Sequence, residues 1–579
     1  VDVLLTYVLE RGWRRRPTLW ARRQAFDADQ SLSRGYNKVP DNISWNLADI
    51  WEAVAEVVPR RLAQVCGSRS FTWHDFNRRS NALAADFLSA GLSQQSKVAA
   101  YLTNGPEYLE TYFAGFKIAA VPVNVNYRYG PGELEYLLDN SDAEVVVFHA
   151  RFAPTLESVR AKLPKVRRWY VVSDGHGEPD WAVRYDDVAA RRDCRPEPGW
   201  ERSGNDLLLL YTGGTTGMPK GVMWRQDDLV RVLGGGGSPF LGLPPASGLD
   251  ELKERLRAGS GLITTLPACP LMHGTGQFSA FITMILGGCI ATLQGSRFAP
   301  EELWSAVQEN RVNTIAIVGD AFARPMLEAL DAHPGRWDLS SVILINSSGV
   351  MWSEEVKQGL SRHMPSVILF DSLGSSEAVG MGANMSAGTS SAKTAEFALG
   401  EGARVIGEDD LDVKPGSGEV GVIALPGFIP VGYYKDEQKS ARTFRTLDGV
   451  RYTIPGDCAT VDADGAIRLL GRGSVVINTG GEKVYPEEVE EVIKKIPGVS
   501  DAVCVGVADE RFGEKVCAIV ESDGKAKITQ EAVIRAVRGE LAAYKAPRVV
   551  LFVETIGRSP AGKVDYPGLK RLASDAVGI

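Results

Sequence analysis

Six short runs rich in apolar and β-branched residues, 97–102, 145–148, 207–211, 314–318, 342–345 and 367–370, each lead into a loop and then a helical pattern. That rhythm predicts an α/β fold with buried, largely parallel strands, because parallel strands need crossovers that cover the faces of the sheet. Beyond residue 471 the pattern changes. A helix at 486–496, strand-like 502–507 and 516–520, a helix at 530–541 and a strand at 549–553 predict a separate α+β domain of about 100 residues, an ordinary domain size.

Size and charge narrow the classes of function. The 579 residues exceed what one core organises, so at least two domains are expected. Lys and Arg total 64 against 72 Asp and Glu, a formal charge of -8, and no long basic block offers nucleic acid a footprint. Small-molecule partners are expected instead. Cys66, Cys194, Cys269, Cys289, Cys458, Cys504 and Cys517 show no paired spacing, which fits reduced thiols in a cytoplasmic protein and argues against disulfides or structural zinc. The charge-free stretch 262–296 is interrupted by Pro267, Pro270, His273 and glycines, so a buried helix and strand are expected there, not a transmembrane span. The leader is rich in arginine (Arg11, Arg14, Arg15, Arg16, Arg22, Arg23) without a long apolar stretch. A helical extension or an upstream start is preferred to a transit peptide.

The most informative segment for chemistry is Tyr211-Thr-Gly-Gly-Thr-Thr-Gly-Met-Pro-Lys-Gly221, directly after an apolar run. A strand emptying into a Gly/Thr-rich loop presents backbone N–H groups and hydroxyls to an anion. Pro219 before Lys220 and Gly221 after it rule against a Walker A loop. The string resembles the phosphate-binding signature of the adenylate-forming superfamily, which contains acyl-CoA synthetases, peptide-synthetase adenylation domains and firefly luciferase.

Further motifs follow in that superfamily's order, and the resemblance covers about residues 46–570. It implies nucleotide contacts from Thr212, Gly213, Gly214, Thr215, Thr216, Gly217 and Lys220, and an adenine-facing turn at Ser347-Ser348-Gly349-Val350-Met351-Trp352. Leu373-Gly374-Ser375-Ser376-Glu377 is similar to the aromatic-Gly-x-Thr-Glu motif, so Ser376 inherits a phosphate contact and Glu377 the Mg²⁺. Asp371 and Gly374 belong to the same nucleotide site, and Leu373 replaces the aromatic that stacks on adenine. Pro455-Gly456-Asp457 and Leu470-Gly471-Arg472 give Asp457 and Arg472 to the ribose. His273, in Pro270-Leu271-Met272-His273-Gly274, matches a histidine between the acyl and pantetheine channels. Gly480 and Gly481, in Gly480-Gly-Glu-Lys-Val-Tyr-Pro-Glu-Glu488, match the glycines of the coenzyme A channel. Arg558-Ser-Pro-Ala-Gly-Lys563 resembles the signature carrying the adenylation lysine, Lys563. Gly213 stands where many relatives have serine, and Ser474 where the hinge residue is commonly Asp or Lys.

The resemblance implies an N-terminal extension (1–45), a large adenylate-forming domain of stacked α/β subdomains (46–472), and a small mobile α+β domain (473–579). It also implies ATP, Mg²⁺ and coenzyme A as cofactors and a carboxylic acid as substrate. A homodimer is allowed. The four glycines 234–237 fall where the superfamily has a helix lining the acyl pocket; each weakens a helix by about 1 kcal/mol relative to alanine, which suggests a wide or adjustable pocket. With residues 121–129, 371–377 and 454–457, this most resembles bacterial acyl-CoA synthetases of steroid side-chain and long-chain fatty acid catabolism. The alternatives are an enzyme that loads a carrier protein, a luciferase-like oxygenase and a non-catalytic acyl-binding relative. The synthetase form of the segment at Gly480, and the expectation of no carrier domain beyond Lys563, weigh against the first.

Overall fold

The computed structural model describes residues 44–212, 218–295, 297–350, 352–387, 394–472, 475–479, 482–509, 513–524, 526, 528–541, 543–559 and 564–578. The six anticipated strands are present at Lys97–Tyr101, Ala143–His149, Leu207–Thr212, Thr314–Ile317, Leu344–Ser348 and Ile368–Ser375. They fall into two sheets. In the first, Leu62–Cys66, Cys289–Thr292, Thr264–Pro267, Thr314–Ile317, Leu344–Ser348 and Ile368–Ser375 run parallel in that order. In the second, Leu207–Thr212, Val121–Asn124, Lys97–Tyr101, Ala143–His149 and Arg168–Val172 do the same.

One apolar core joins the two sheets through the helices Leu47–Val57, Trp73–Ser89, Pro106–Lys117 and Gly274–Ile285. Asn46 starts the first of these, its side chain accepting from the Ala48 N–H while its amide donates to the Ser203 carbonyl. One turn on, the fully buried Trp51 meets Phe113 and Phe281 edge-on, at ring separations of 5.3 and 5.5 Å. Such pairs add about 0.5–1.5 kcal/mol beyond area burial and fix how the helices sit against each other.

The first sheet continues as an antiparallel extension that the apolar runs do not announce: Ala378–Ala387, Glu396–Leu399, Ile467–Arg472, Asp457–Val461 and Gly421–Pro426. Several of these strands mix buried and partly exposed positions, so they lack the continuous apolar run that marks a strand covered on both faces. Val499–Asp509 pairs antiparallel with Gly513–Ser522, which pairs parallel with Val549–Val553, and these form a third sheet. The helices Pro486–Lys494 and Gln530–Glu540 share one core with it, while Tyr566–Ala576 belongs to a second core.

The stretch 262–296 contains the helix Gly274–Ile285 and the strand Cys289–Thr292, both buried. Among the described residues no helix is long and apolar enough to cross a membrane. All seven cysteines are free thiols.

The glycine segment needs a correction. The helix Gln226–Val232 ends before it, and Gly234, Gly235 and Gly236 take φ values of 100°, 55° and 77°. A Cβ on Gly237 would come within 2.5 Å of the Pro244 carbonyl carbon. The glycines are therefore needed for left-handed backbone and close chain packing, and they do not open volume by loosening a helix. Leucine at Gly235 or Gly236 would strain the turn instead of excluding large acids selectively.

Candidate active site

The edge strands of the second sheet meet the Glu377 motif of the first. Leu207–Thr212 and Lys220–Arg225 form an antiparallel hairpin in which Thr212 lies opposite Lys220. Gly213, Gly214, Thr215, Thr216 and Gly217 lie outside the described residues. The Lys220 ammonium pairs with Asp436, the N-cap of the helix Glu437–Thr443, and holds that carboxyl below its usual range. Tyr433 pairs beside Val222, and its hydroxyl donates to Glu377 Oε1 at 2.7 Å. The Trp224 indole N–H donates to the Ser376 carbonyl at 3.0 Å. Both Glu377 and Tyr433 are buried. Two side chains of one sheet thus fix the backbone and carboxylate of the Ser376–Glu377 segment in the other.

This donor set fits Mg²⁺. Magnesium takes one or two carboxylates and draws its remaining ligands from water and substrate phosphates. Glu377 supplies one carboxylate with Oε1 already oriented by a phenol.

His273 is the N-cap residue of the helix Gly274–Ile285 and is partly exposed. Two asparagines hold its loop. Asn104 accepts from the Leu271 N–H at 2.7 Å and donates to the Pro267 and Cys269 carbonyls. Asn124 donates to the Met272 carbonyl at 2.6 Å and to the Tyr211 carbonyl at 2.8 Å, and it accepts from the Tyr211 N–H at 2.6 Å. The residue before His273 and the one before Thr212 are therefore tied to the same amide.

Ser348 ends the strand Leu344–Ser348, and its carbonyl accepts from Thr275 Oγ1 at 3.5 Å. Gly349 follows with φ 91°, a turn that favours glycine. Across the pairing, Asp371 lies opposite Ser347. Its carboxylate accepts from the Lys357 ammonium at 3.1 Å, with side-chain exposures of 7% and 1%. Burial pushes Asp371 up to about 6 although Lys357 pulls it down. Leu373 is packed in an apolar cluster with Met381, Phe397 and Ile423, and Gly374 follows it in the strand.

Asp457 and Arg472 lie directly opposite each other at the ends of two paired strands, so the two residues assigned to the ribose are brought together. Asp457 is buried. Glu487, in the first turn of the helix Pro486–Lys494, lies against Gly471, where an added Cβ would meet its carboxylate oxygen. Burial first, then Glu490 and Asp457, pushes the Glu487 carboxyl well above the usual carboxylate range. Ser474, Gly480, Gly481 and Lys563 lie outside the described residues.

Sequence reasoning missed Tyr433, Asp436, Lys357 and Asn124. Asn124 left a signal: an amide inside the apolar run Val121–Asn124 must have its hydrogen bonds met by the structure. Lys357 left one too, since it follows Val356 and precedes Leu360 by three, in the buried stripe of the helix Glu354–His363. Tyr433 and Asp436 are far from the Glu377 motif in the chain, and nothing local marks them.

Comparison with known proteins gives the family. Residues 51–430 match the AMP-binding enzyme family and residues 488–563 match the AMP-binding enzyme C-terminal domain. The chain is 40% identical over 544 residues to a 3-oxocholest-4-en-26-oate–CoA ligase of Rhodococcus rhodochrous, covering 92% of this chain and 96% of that protein. It is 41% identical over 530 residues to a medium/long-chain-fatty-acid–CoA/3-oxocholest-4-en-26-oate–CoA ligase of Mycobacterium tuberculosis, covering 90% and 95%. The fold superposes on the anthranilate CoA ligase AuaEII in complex with anthranoyl-AMP with a TM-score of 0.79, at 21% identity, over 93% of this chain and 98% of that one. A two-sheet body with a small α+β domain, a family match over most of its length and these relatives have one meaning: the chain belongs to the AMP-binding enzyme family.

Proposed function

We propose that this chain joins a long-chain or bulky carboxylic acid, of the fatty or steroid side-chain class, to coenzyme A through an acyl-adenylate, consuming ATP and releasing AMP and pyrophosphate. The observation that carries this reading is the 40% identity to a 3-oxocholest-4-en-26-oate–CoA ligase, spread over 92% of the chain. The junction of Lys220, Ser376, Glu377 and Tyr433 supports it from geometry. The seven free thiols favour the cytoplasm.

A carboxylate acylates poorly because its oxygen is a poor leaving group, and exchange for AMP cures that. Thr212 and Lys220 flank the loop that receives the phosphates, Asp457 and Arg472 hold the ribose, and Ser348, Gly349, Asp371, Leu373 and Gly374 form the base side. Glu377 and the ATP phosphates would hold Mg²⁺, which supplies charge neutralisation. Lys563 adds a second positive charge while the adenylate forms. His273 stands between the acyl and pantetheine channels, and Gly480 and Gly481 let the thiol approach. Domain 473–579 turns about Ser474 relative to 46–472 between the half-reactions, a gating step distinct from the chemistry.

The test is pyrophosphate release with acetate, long-chain, aromatic and steroid side-chain acids, each with and without coenzyme A. The expected order places long-chain or steroid side-chain acids first, with acyl-CoA formed only when coenzyme A is present. Acetate giving the highest kcat/KM overturns the substrate class, and adenylate that never passes to coenzyme A overturns the ligase.

Asp457→Ala is expected to raise the KM for ATP more than that for the acid. A charge-assisted hydrogen bond contributes about 1.5–3 kcal/mol, so the KM rises on the order of tenfold or more. An unchanged KM for ATP removes Asp457 from the nucleotide site.

A further inference from the structure

The helix Pro486–Lys494 carries Glu487, Glu488, Glu490 and Glu491, and two of these are accounted for inside the small domain. Glu488 accepts from the Tyr485 N–H at 3.2 Å and from the Lys545 ammonium at 2.6 Å. The buried Glu490 accepts from the Cys504 N–H at 2.8 Å. Glu487 and Glu491, four residues apart and so on one face of the helix, turn to the large domain instead. Glu491 lies beside Thr394 and Arg468 there. Glu487 lies on the backbone of Gly471, and its Oε2 is buried with no hydrogen-bond partner.

This contact is poorly made for holding two domains together. Gly471 pairs with Cys458, next to Asp457, so Glu487 brings a carboxylate up to another carboxylate across the seam. A carboxylate taken from water without a partner, beside a like charge, raises the free energy of the arrangement that buries it. The attraction in the seam is apolar. Leu470 and Cys458 of the large domain cluster with Tyr485 and Val476 of the small one.

We propose that Glu487 is a release element: its carboxylate opposes the apolar docking of the helix Pro486–Lys494 on the strand pair that ends at Asp457 and Arg472, and so keeps the docked arrangement from outlasting its half-reaction. The inference rests on the proposed turn of domain 473–579 and deepens it. Once the small domain turns, water solvates the carboxylate, so the penalty falls on the docked arrangement alone. A seam without it would hold the enzyme in one of its two half-reactions; a seam weakened by one misfit charge is left and re-formed in every cycle.

The titratable groups facing Glu487 come from four elements. Glu490 and Lys494 belong to its own helix, Asp457 to the strand Asp457–Val461, Cys504 to the strand Val499–Asp509 and Tyr566 to the helix Tyr566–Ala576. Burial, Glu490 and Asp457 oppose the ionised form, while Lys494 and the Glu487 N–H favour it. The docked carboxyl therefore binds its proton more tightly than the same group in water. Docking is favoured at low pH, loses favour as pH rises above the ordinary carboxylate range, and levels off once the docked carboxyl ionises too.

The experiment places one spin label on each domain of the full chain and reads the docked fraction from the interdomain distance, across mildly acidic to alkaline pH. The two half-reactions are timed in parallel. Glu487→Gln keeps the shape and removes the charge. Its ratio of docked to turned protein at neutral pH should rise about tenfold, the effect of roughly one unit of carboxyl shift, and most of the pH dependence should vanish. Burial also raises Glu491, which supplies the remainder. The half-reaction of the docked arrangement should keep its rate while the other slows, a split that a purely structural role does not predict. Tyr485→Ala thins the apolar side of the seam; its ratio should fall by about tenfold with the parent's pH dependence kept. A Glu487→Gln whose docked fraction and pH dependence match the parent overturns the inference, as does equal slowing of both half-reactions. A parent whose docked fraction depends on Glu487 but which makes no acyl-CoA sinks only the ligase reading. One that makes acyl-CoA with a docked fraction indifferent to Glu487 sinks only this inference.

Discussion

Lys563→Ala should cut acyl-adenylate formation by about 100- to 1,000-fold, the usual loss when one preorganised charge is removed from a developing anion. Thioester formation from chemically prepared acyl-adenylate should survive nearly intact, because the proposed domain turn has by then carried Lys563 away. The described residues on either side of it are anchored. Upstream, Arg558 is held by Asp501 through two hydrogen bonds, of 2.5 and 3.0 Å, and the Ile556 N–H donates to Glu521. Downstream, Asp565 caps the helix Tyr566–Ala576 by accepting from the Gly568 N–H. Equal loss in both assays indicates misfolding, and no loss in either indicates a solvated lysine; both outcomes defeat the assigned role.

Glu377→Gln should rank close behind. Glutamine keeps an oxygen that can accept from Tyr433 and nearly the same volume, so the junction of the two sheets survives while its negative charge is lost. Adenylate formation should fall about 100-fold or more by the same electrostatic reasoning. The concentration of Mg²⁺ needed for half-maximal rate should rise, and chelation should stop adenylation while leaving thioester formation from prepared adenylate. A variant with full activity and an unchanged Mg²⁺ requirement would remove Glu377 from the metal. Thermal unfolding close to the parent's is the control, since no buried charge has been orphaned.

The sequence revealed most of what hydrophobic patterning controls. Strands rich in apolar residues read as apolar runs, and all six were located, although the run at 367–370 marks only the first half of the strand Ile368–Ser375. The antiparallel extension was invisible for the same reason, because several of its strands are only partly covered. Residues assigned from local motifs, such as Asp457 and Arg472, lie opposite each other in paired strands. Partners supplied from distant chain, such as Tyr433 to Glu377 or Lys357 to Asp371, needed the fold. The glycine run misled because glycine has two uses, weakening a helix and permitting left-handed backbone, and composition alone does not say which one operates.

The Asn124 side chain has a consequence in time. Its amide closes hydrogen bonds to Tyr211 and to Met272, so the end of the strand Leu207–Thr212 and the loop carrying His273 share one fastening. Neither segment opens there without breaking a contact to the same side chain, and a buried amide left half satisfied is costly. Fluctuations of the two segments are thereby correlated. In amide hydrogen exchange they should open as one event, with similar protection, even though they come from different sheets. Asn124→Ala would uncouple the two clocks.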